Sequence, residues 1–186
     1  LVFYALGLDH AEAESAYART PGAAGVARVL ALFDERIRRR VPAAYLMGRM
    51  WFAGLEFEVD PRVIVPRSPF AELVEAEFAP WIDAGHVRRI LDIGTGSGCI
   101  AIACAVAFPQ ARVDAVDVSP AALEVARRNV ARHGVGDRLQ LFLGDVYEPL
   151  GDARYDLIVA NPPYVSDEEM RSLPPEFLHE PDLALR

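Results

Sequence analysis

The chain has 186 residues, 52% of them hydrophobic and 25% charged, with a formal net charge of −8. That is apolar material enough for one domain, or one domain with a small appendage, and the charge disfavours a surface built for a polyanion. A basic protein partner suits it better than bare nucleic acid, and neither a bilayer span nor a signal peptide is expected from its apolar runs. The chain opens on Leu1 rather than Met, so further residues are expected to precede it. All 19 basic residues are Arg, and Asn occurs only at positions 129 and 161.

Residues 1–50 read as a helical region. Val26, Val29, Leu30, Phe33 and Ile37 fall on one helix face. Arg36, Arg38, Arg39 and Arg40 then complement the dipole at that helix's C-terminus, with a nucleic-acid contact as the sharper alternative. From residue 51 the period changes. Trp51, Phe52, Leu55, Phe57 and Val59, then Val63, Ile64 and Val65, predict two strands around a turn at Asp60-Pro61-Arg62. Ser68-Pro69 predicts the start of a helix running to about Trp81, so residues 51–86 form a hairpin and linking helix.

Beyond the boundary at Asp83–His86, residues 87–186 alternate short apolar strands with helices. The strands are Arg89–Ile93, Arg112–Val116, Leu139–Leu143 and Tyr155–Ala160. One helix covers Gly98–Phe108, and another starts at the Ser119 cap and stops at Gly134. This alternation predicts an α/β fold with a parallel, doubly wound, Rossmann-like sheet. Cys99 and Cys104 lie at a spacing that favours neither a disulfide nor a zinc site, and read as buried thiols of a reducing, cytoplasmic protein.

Four stretches carry chemistry. Gly94-Thr95-Gly96-Ser97-Gly98 ends a strand and opens a helix, where glycines permit a tight turn and close approach of a ligand. A dinucleotide site wants G-x-G-x-x-G, with its third glycine where this chain has Cys99. The tighter spacing found here suits a cofactor without a pyrophosphate. Asp117 ends the next strand, where a carboxylate can accept from both hydroxyls of a ribose. Gly144-Asp145-Val146 follows a third strand and places Asp145 to accept from an adenine amino group, with Val146 flanking the ring; a plain turn Asp is the competing reading.

Asn161-Pro162-Pro163-Tyr164 decides the reaction class. The prolines stiffen the loop and push Asn161 to extended geometry. The Asn161 side-chain oxygen and the Pro162 carbonyl are then two acceptors for both hydrogens of one planar NH2, with Tyr164 as a flat wall. An amide nitrogen is a poor nucleophile. Two acceptors favour the positive charge that grows on it as it attacks a methyl donor, and orientation can supply up to about 7–11 kcal/mol.

Together Gly94–Gly98, Asp117 and Asn161–Tyr164 resemble class I S-adenosylmethionine methyltransferases, and more narrowly the HemK-like protein glutamine methyltransferases. The resemblance implies a small helical N-terminal domain (1–50) that recognises substrate, a β-hairpin link (51–86) and a catalytic domain (87–186). It implies S-adenosylmethionine as cofactor, bound by Gly94, Thr95, Gly96, Ser97, Gly98, Asp117, Asp145, Val146 and Asn161. Asn161, Pro162, Pro163 and Tyr164 would bind the glutamine side chain, with Asn161, Pro162 and Tyr164 catalytic. The stretches Arg40–Leu46, Val65–Pro69 and Leu178–Leu183 are similar to the branch acting on large-subunit ribosomal protein L-three rather than on release factors. Arg67 and Glu180 fall in these stretches without a role that the residues themselves specify.

The resemblance covers roughly residues 25–186 and also implies that C-terminal strands are missing, leaving an exposed sheet edge and apolar face. An adenine or guanine amino methyltransferase is the nearest competing class, since such loops also hold exocyclic amines. A non-catalytic nucleotide-binding module is a second. The partner expected is a glutamine-containing loop of a ribosomal protein, with no membrane and no direct nucleic-acid binding required.

Overall fold

A computed structural model describes residues 1–9 and 13–186; residues 10–12, within the stretch read as helical, lie outside the described residues. Helices α1 (Val2–Leu6), α2 (Ala13–Tyr17), α3 (Ala23–Arg38) and α4 (Ala43–Met47) make up most of the first fifty residues. On α3 the face marked by periodicity is not the packed one. Val26, Leu30, Phe33 and Ile37 are exposed, Ile37 to 69%, and Val29 is half-buried. The helix turns Gly25 inward instead, because a Cβ there would lie 2.8 Å from Leu6 Cδ2 and hold α1 away.

The hairpin also differs from expectation. Strands β1 (Arg49–Phe52) and β2 (Leu55–Glu58) pair antiparallel around Ala53-Gly54. Both turn residues have positive φ, 45° and 72°, as a two-residue turn between twisted strands requires. Asp60-Pro61-Arg62 is a bend pinned by Asp60 Oδ1, which accepts from Arg62 N at 3.0 Å, and residues 63–65 form no strand. Helix α5 (Phe70–Glu75) follows, with Ser68 Oγ accepting from Phe70 N. It stops well short of Trp81, since Glu77 and Phe78 take left-handed φ values of 49° and 57°. That reversal buries Phe78 beside Phe70 and Phe108.

The sheet unit follows as β3 (Arg89–Ile93), α6 (Cys99–Ala107), β4 (Arg112–Asp117), α7 (Pro120–His133), β5 (Leu139–Leu143), β6 (Leu157–Ala160) and α8 (Asp167–Met170). Its four strands are parallel in the order β5-β4-β3-β6. Strand β6 begins later than expected. Tyr155 instead sends its hydroxyl to Asp114, and the Asp156 carboxylate accepts from the backbone N–H groups of Arg88 and Arg89 at the start of β3. Burial, then Asp114, pushes the Tyr155 phenol up to about 12.

Helix α6 is apolar all round and is buried from Cys99 to Ala105, lying between the sheet, α5 and α7. The return from β5 to β6 contains only the single 3₁₀ turn Glu148–Leu150. The sheet face bearing Arg89, Asp114, Gln140 and Phe142 therefore borders a cavity of about 420 Å³ rather than a helix. Among the described residues β6 is an edge strand, with Ile158 47% exposed. No described helix is long and apolar enough to cross a membrane.

The core does not stop at residue 86. Phe52 and Phe57 of the hairpin join the cluster that holds Ile90, Ile102 and Val113. A second cluster packs Ala44, Val59 and Val63 against Ala122 and Val125 of α7. Between the hairpin and α7 sits Asn129, fully buried. Its Oδ1 accepts from Glu58 N at 2.7 Å, and its Nδ2 donates to Glu58 O at 3.0 Å and Ser97 O at 2.9 Å. Replacing it with Ala leaves the N–H and C=O of half-buried Glu58 and the carbonyl of buried Ser97 without this partner. Asn129→Ala should therefore cost roughly 3 kcal/mol in urea unfolding, and Asn129→Asp should not recover it, because a carboxylate cannot donate.

Candidate active site

Strand register carries the four motifs to one edge. Ile93 pairs with both Val116 and Ala160, and Asp117 pairs with Leu143. The residues just past these pairs, Gly94, Asn161 and Gly144, therefore emerge side by side at the carboxyl ends of the strands. The junction of β3 with β6 is also where the winding of the sheet reverses, the crevice in which open α/β sheets bind ligands.

The glycine turn is fixed from below. Gly94 N and Thr95 N both donate to Val116 O, at 2.9 and 3.0 Å. Gly94, Gly96 and Gly98 have φ of 70°, 56° and 81°, backbone that other residues rarely adopt. A Cβ on Gly94 or Gly96 would meet nothing within 4 Å, so both border open space. A Cβ on Gly98 would sit 3.3 Å from Ile102 Cδ1, so this glycine serves packing against the helices. Thr95 and Ser97 are buried, Thr95 donating its hydroxyl to Asp92 at 2.6 Å and Ser97 offering its carbonyl to Asn129.

Asp117 is bound to the same turn. Its Oδ2 accepts from Gly96 N and its Oδ1 from Ser119 N, each at 2.8 Å. One lone pair on each oxygen remains for a diol. Gly144 N donates to Asp117 O at 3.1 Å, which places Asp145 and Val146 beside it, both exposed. Val146 has φ 46°, a strained value for a β-branched side chain. Across the crevice Asn161 is half-buried, and its amide makes no hydrogen bond to a described residue. Pro162 and Pro163 are exposed, and the Tyr164 ring is 80% exposed. Tyr164 N and Val165 N both donate to Leu185 O, at 3.1 and 2.8 Å, so the corner is held from behind.

Asp92 joins this set, a residue that motif spacing does not single out. The signal is a carboxylate in the middle of the apolar strand Ile90-Leu91-Asp92-Ile93. It is fully buried; Oδ2 accepts from Thr95 Oγ1 and Ala101 N, and Oδ1 has no partner among the described residues. Burial pushes its carboxyl up to about 6, against the pull of the Thr95 and Ala101 bonds. The cysteines are free and buried, and burial raises Cys99 to about 12.

The arginine run at the end of α3 is matched by carboxylates. Arg36 and Arg40 both pair with Glu176, at 2.7 and 2.8 Å. Arg38 pairs with Asp34 and Arg39 with Glu35, each four residues back along the same helix. Arg36 holds the Glu176 carboxyl below its usual range. Each arginine of the run thus has a carboxylate partner within the chain, while the Arg38 and Arg39 side chains stay exposed.

A raised carboxyl pKa means that the native state binds the Asp92 proton more tightly than the unfolded chain. Its contribution favours folding at low pH and is lost as pH rises from about 4 to about 6, by up to about 3 kcal/mol. Stability measured across that window should fall less steeply in Asp92→Asn than in the parent chain.

The model of the methyltransferase small domain family matches residues 76–186. Ribosomal protein uL3 glutamine methyltransferase of Bordetella pertussis is 58% identical over 159 residues, covering 85% of this chain and 53% of that protein. The protein of that name from Bradyrhizobium diazoefficiens is 50% identical over 192 residues, covering 99% of this chain and 60% of its own length. The chain thus spans little more than half the length of these curated relatives. Among solved structures, the hMettl16 catalytic domain in complex with MAT2A 3′UTR hairpin 6 aligns with a TM-score of 0.52 at 20% identity, over 71% of this chain and 50% of that one, a likeness of fold alone. The family match runs from the end of α5 through the sheet and all four loops at its carboxyl edge, and by it the chain belongs to the methyltransferase small domain family.

Proposed function

We propose that the chain methylates a glutamine side-chain amide of the large-subunit (50S) ribosomal protein uL3, using S-adenosylmethionine. The observation that carries this reading is the pairing of Ile93 with Ala160, which sets the glycine turn beside Asn161. The relatives described above bear that activity in their names and support the choice of substrate.

The residues present fit S-adenosylmethionine. Gly94 and Gly96 leave open space for its methionine part, and Asp117 keeps acceptors for the ribose hydroxyls. Asp145 and Val146 border the adenine, while the unpartnered Oδ1 of Asp92 supplies a buried acceptor under the turn. When bound, the cofactor supplies an electrophilic methyl group.

The chain's own part is to hold and orient the amide. Asn161 Oδ1 and the Pro162 carbonyl each accept one N–H of the glutamine NH2, and Pro163 fixes their spacing. The exposed Tyr164 ring offers its face to the planar group. Two acceptors stabilise the cation that forms on nitrogen, so no general base is needed ahead of it. Loss of one proton to solvent then restores the lone pair to the amide nitrogen.

Two measurements test this. Mass spectrometry of ribosomal proteins from cells lacking the gene should show uL3 lighter by one methyl group on a glutamine-containing peptide; an unchanged uL3, with methyl lost from RNA or from a release factor, would refute the assignment. Asn161→Ala should reduce methyl transfer by roughly 10²–10³-fold while calorimetry finds cofactor binding nearly unchanged.

A further inference from the structure

The segment that follows the Asn161–Tyr164 loop leaves the crevice and returns to it. Ser166 caps α8 through a reciprocal pair of bonds with Glu169. The chain then forms 3₁₀ turns at Pro175–His179 and Asp182–Ala184 and ends this excursion at Leu185, which is buried. The carbonyl of Leu185 is the group that receives both Tyr164 N and Val165 N. Whatever fixes residues 175–185 therefore fixes the back of the amide-binding corner.

At its far end this strap is bound to the N-terminal half of the chain. Glu176 takes Arg36 and Arg40, and His179 Nε2 lies 2.7 Å from Arg39 O. The most enclosed contact is Glu180, whose side chain is only 3% exposed. Arg67 reaches it with two parallel bonds, Nη1 to Oε1 at 2.6 Å and Nη2 to Oε2 at 2.8 Å, and lies over the Phe177 ring at 4.6 Å. Tyr45 stands beside the pair; burial, then the Glu180 charge, raises its phenol above the usual range, and its hydroxyl is bound to Val63 O.

With the Arg67 side chain 40% exposed, the pair itself adds little net stability, because solvent screens the attraction. What a two-bond guanidinium–carboxylate contact does add is a fixed relative orientation of its two backbones. Here one backbone is the stretch after the hairpin, and the other lies five residues before Leu185. We propose that Arg67 and Glu180 are positioning residues for the Asn161–Tyr164 loop, acting through the 175–185 strap. This rests on the reading of that loop as the amide site, although the pair's effect on the loop does not.

Amide hydrogen exchange followed by NMR tests the idea without any methyl transfer. Arg67→Lys and Glu180→Gln, which keep bulk but break the two-bond contact, should speed exchange at Tyr164 and Val165 by about tenfold or more. Exchange at Gly96 and Ser119, held by Asp117, should be unmoved. The exchanged pair Arg67→Glu with Glu180→Arg should restore slow exchange at Tyr164 and Val165. In methylation assays kcat should fall by up to roughly 10²-fold with the KM for S-adenosylmethionine unchanged. Unaltered exchange at Tyr164 and Val165 would overturn the proposal, as would an equal acceleration across the whole chain. Failure of the chain to methylate glutamine would sink the substrate assignment and leave the exchange result standing.

Discussion

One side-chain amide joins three parts of this molecule that have no covalent reason to meet. Asn129 sits on α7, yet it completes β2 of the hairpin as a neighbouring strand would, accepting from Glu58 N and donating to Glu58 O. Its remaining proton goes to Ser97 O inside the glycine turn. All three hydrogen-bonding valences that a buried amide offers in this geometry are filled, so the contact is specific in direction as well as favourable. The hairpin, α7 and the ligand turn are therefore tied together through one side chain. Around this contact α7 adds further anchors: His133 Nε2 lies 2.9 Å from Glu56 O, Arg132 pairs with Glu56, and Arg128 pairs with Asp60.

The crevice inherits its order from these ties. Parallel pairing delivers four loops to one edge, and hydrogen bonds then link them in series: Val116 O to Gly94 and Thr95, the Asp117 carboxylate to Gly96 and Ser119, Asp117 O to Gly144. Asp92 lies beneath, keeping a protonatable group where little water reaches it. The glycine turn is thus held by bonds within the chain itself, which limits the ordering cost of binding. The loop on the other side of the crevice is stiffened differently, by its prolines and by the Leu185 carbonyl.

Most of the sheet unit is legible in the residues. The strand limits 89–93 and 139–143, the Ser119 cap and the Gly134 stop all follow from local chemistry, and the structure reproduces them. Where the structure departs from expectation, long-range packing decides. Periodicity on α3 marks Val26, Leu30, Phe33 and Ile37, but periodicity is blind to how closely α1 must approach, and Gly25 settles the rotation. The hairpin turn is easily misplaced because Asp60-Pro61 is a stronger local signal than Ala53-Gly54, although only the latter has the backbone that two twisted strands need. Asp92 and Asn129 stand out in the sequence only as polar residues in apolar company. Their partners lie in other elements, so their roles emerge only in three dimensions.

The double proline also has a consequence for the sheet. Strand β6 pairs with β3 along Leu157–Ala160. Immediately beyond Ala160 the run Asn161-Pro162-Pro163 has two consecutive positions without an N–H. A ladder running along Leu157–Ala160 therefore finds no donors with which to continue past the corner. The residues that shape the crevice thereby also mark where the backbone ladder of β6 has to stop.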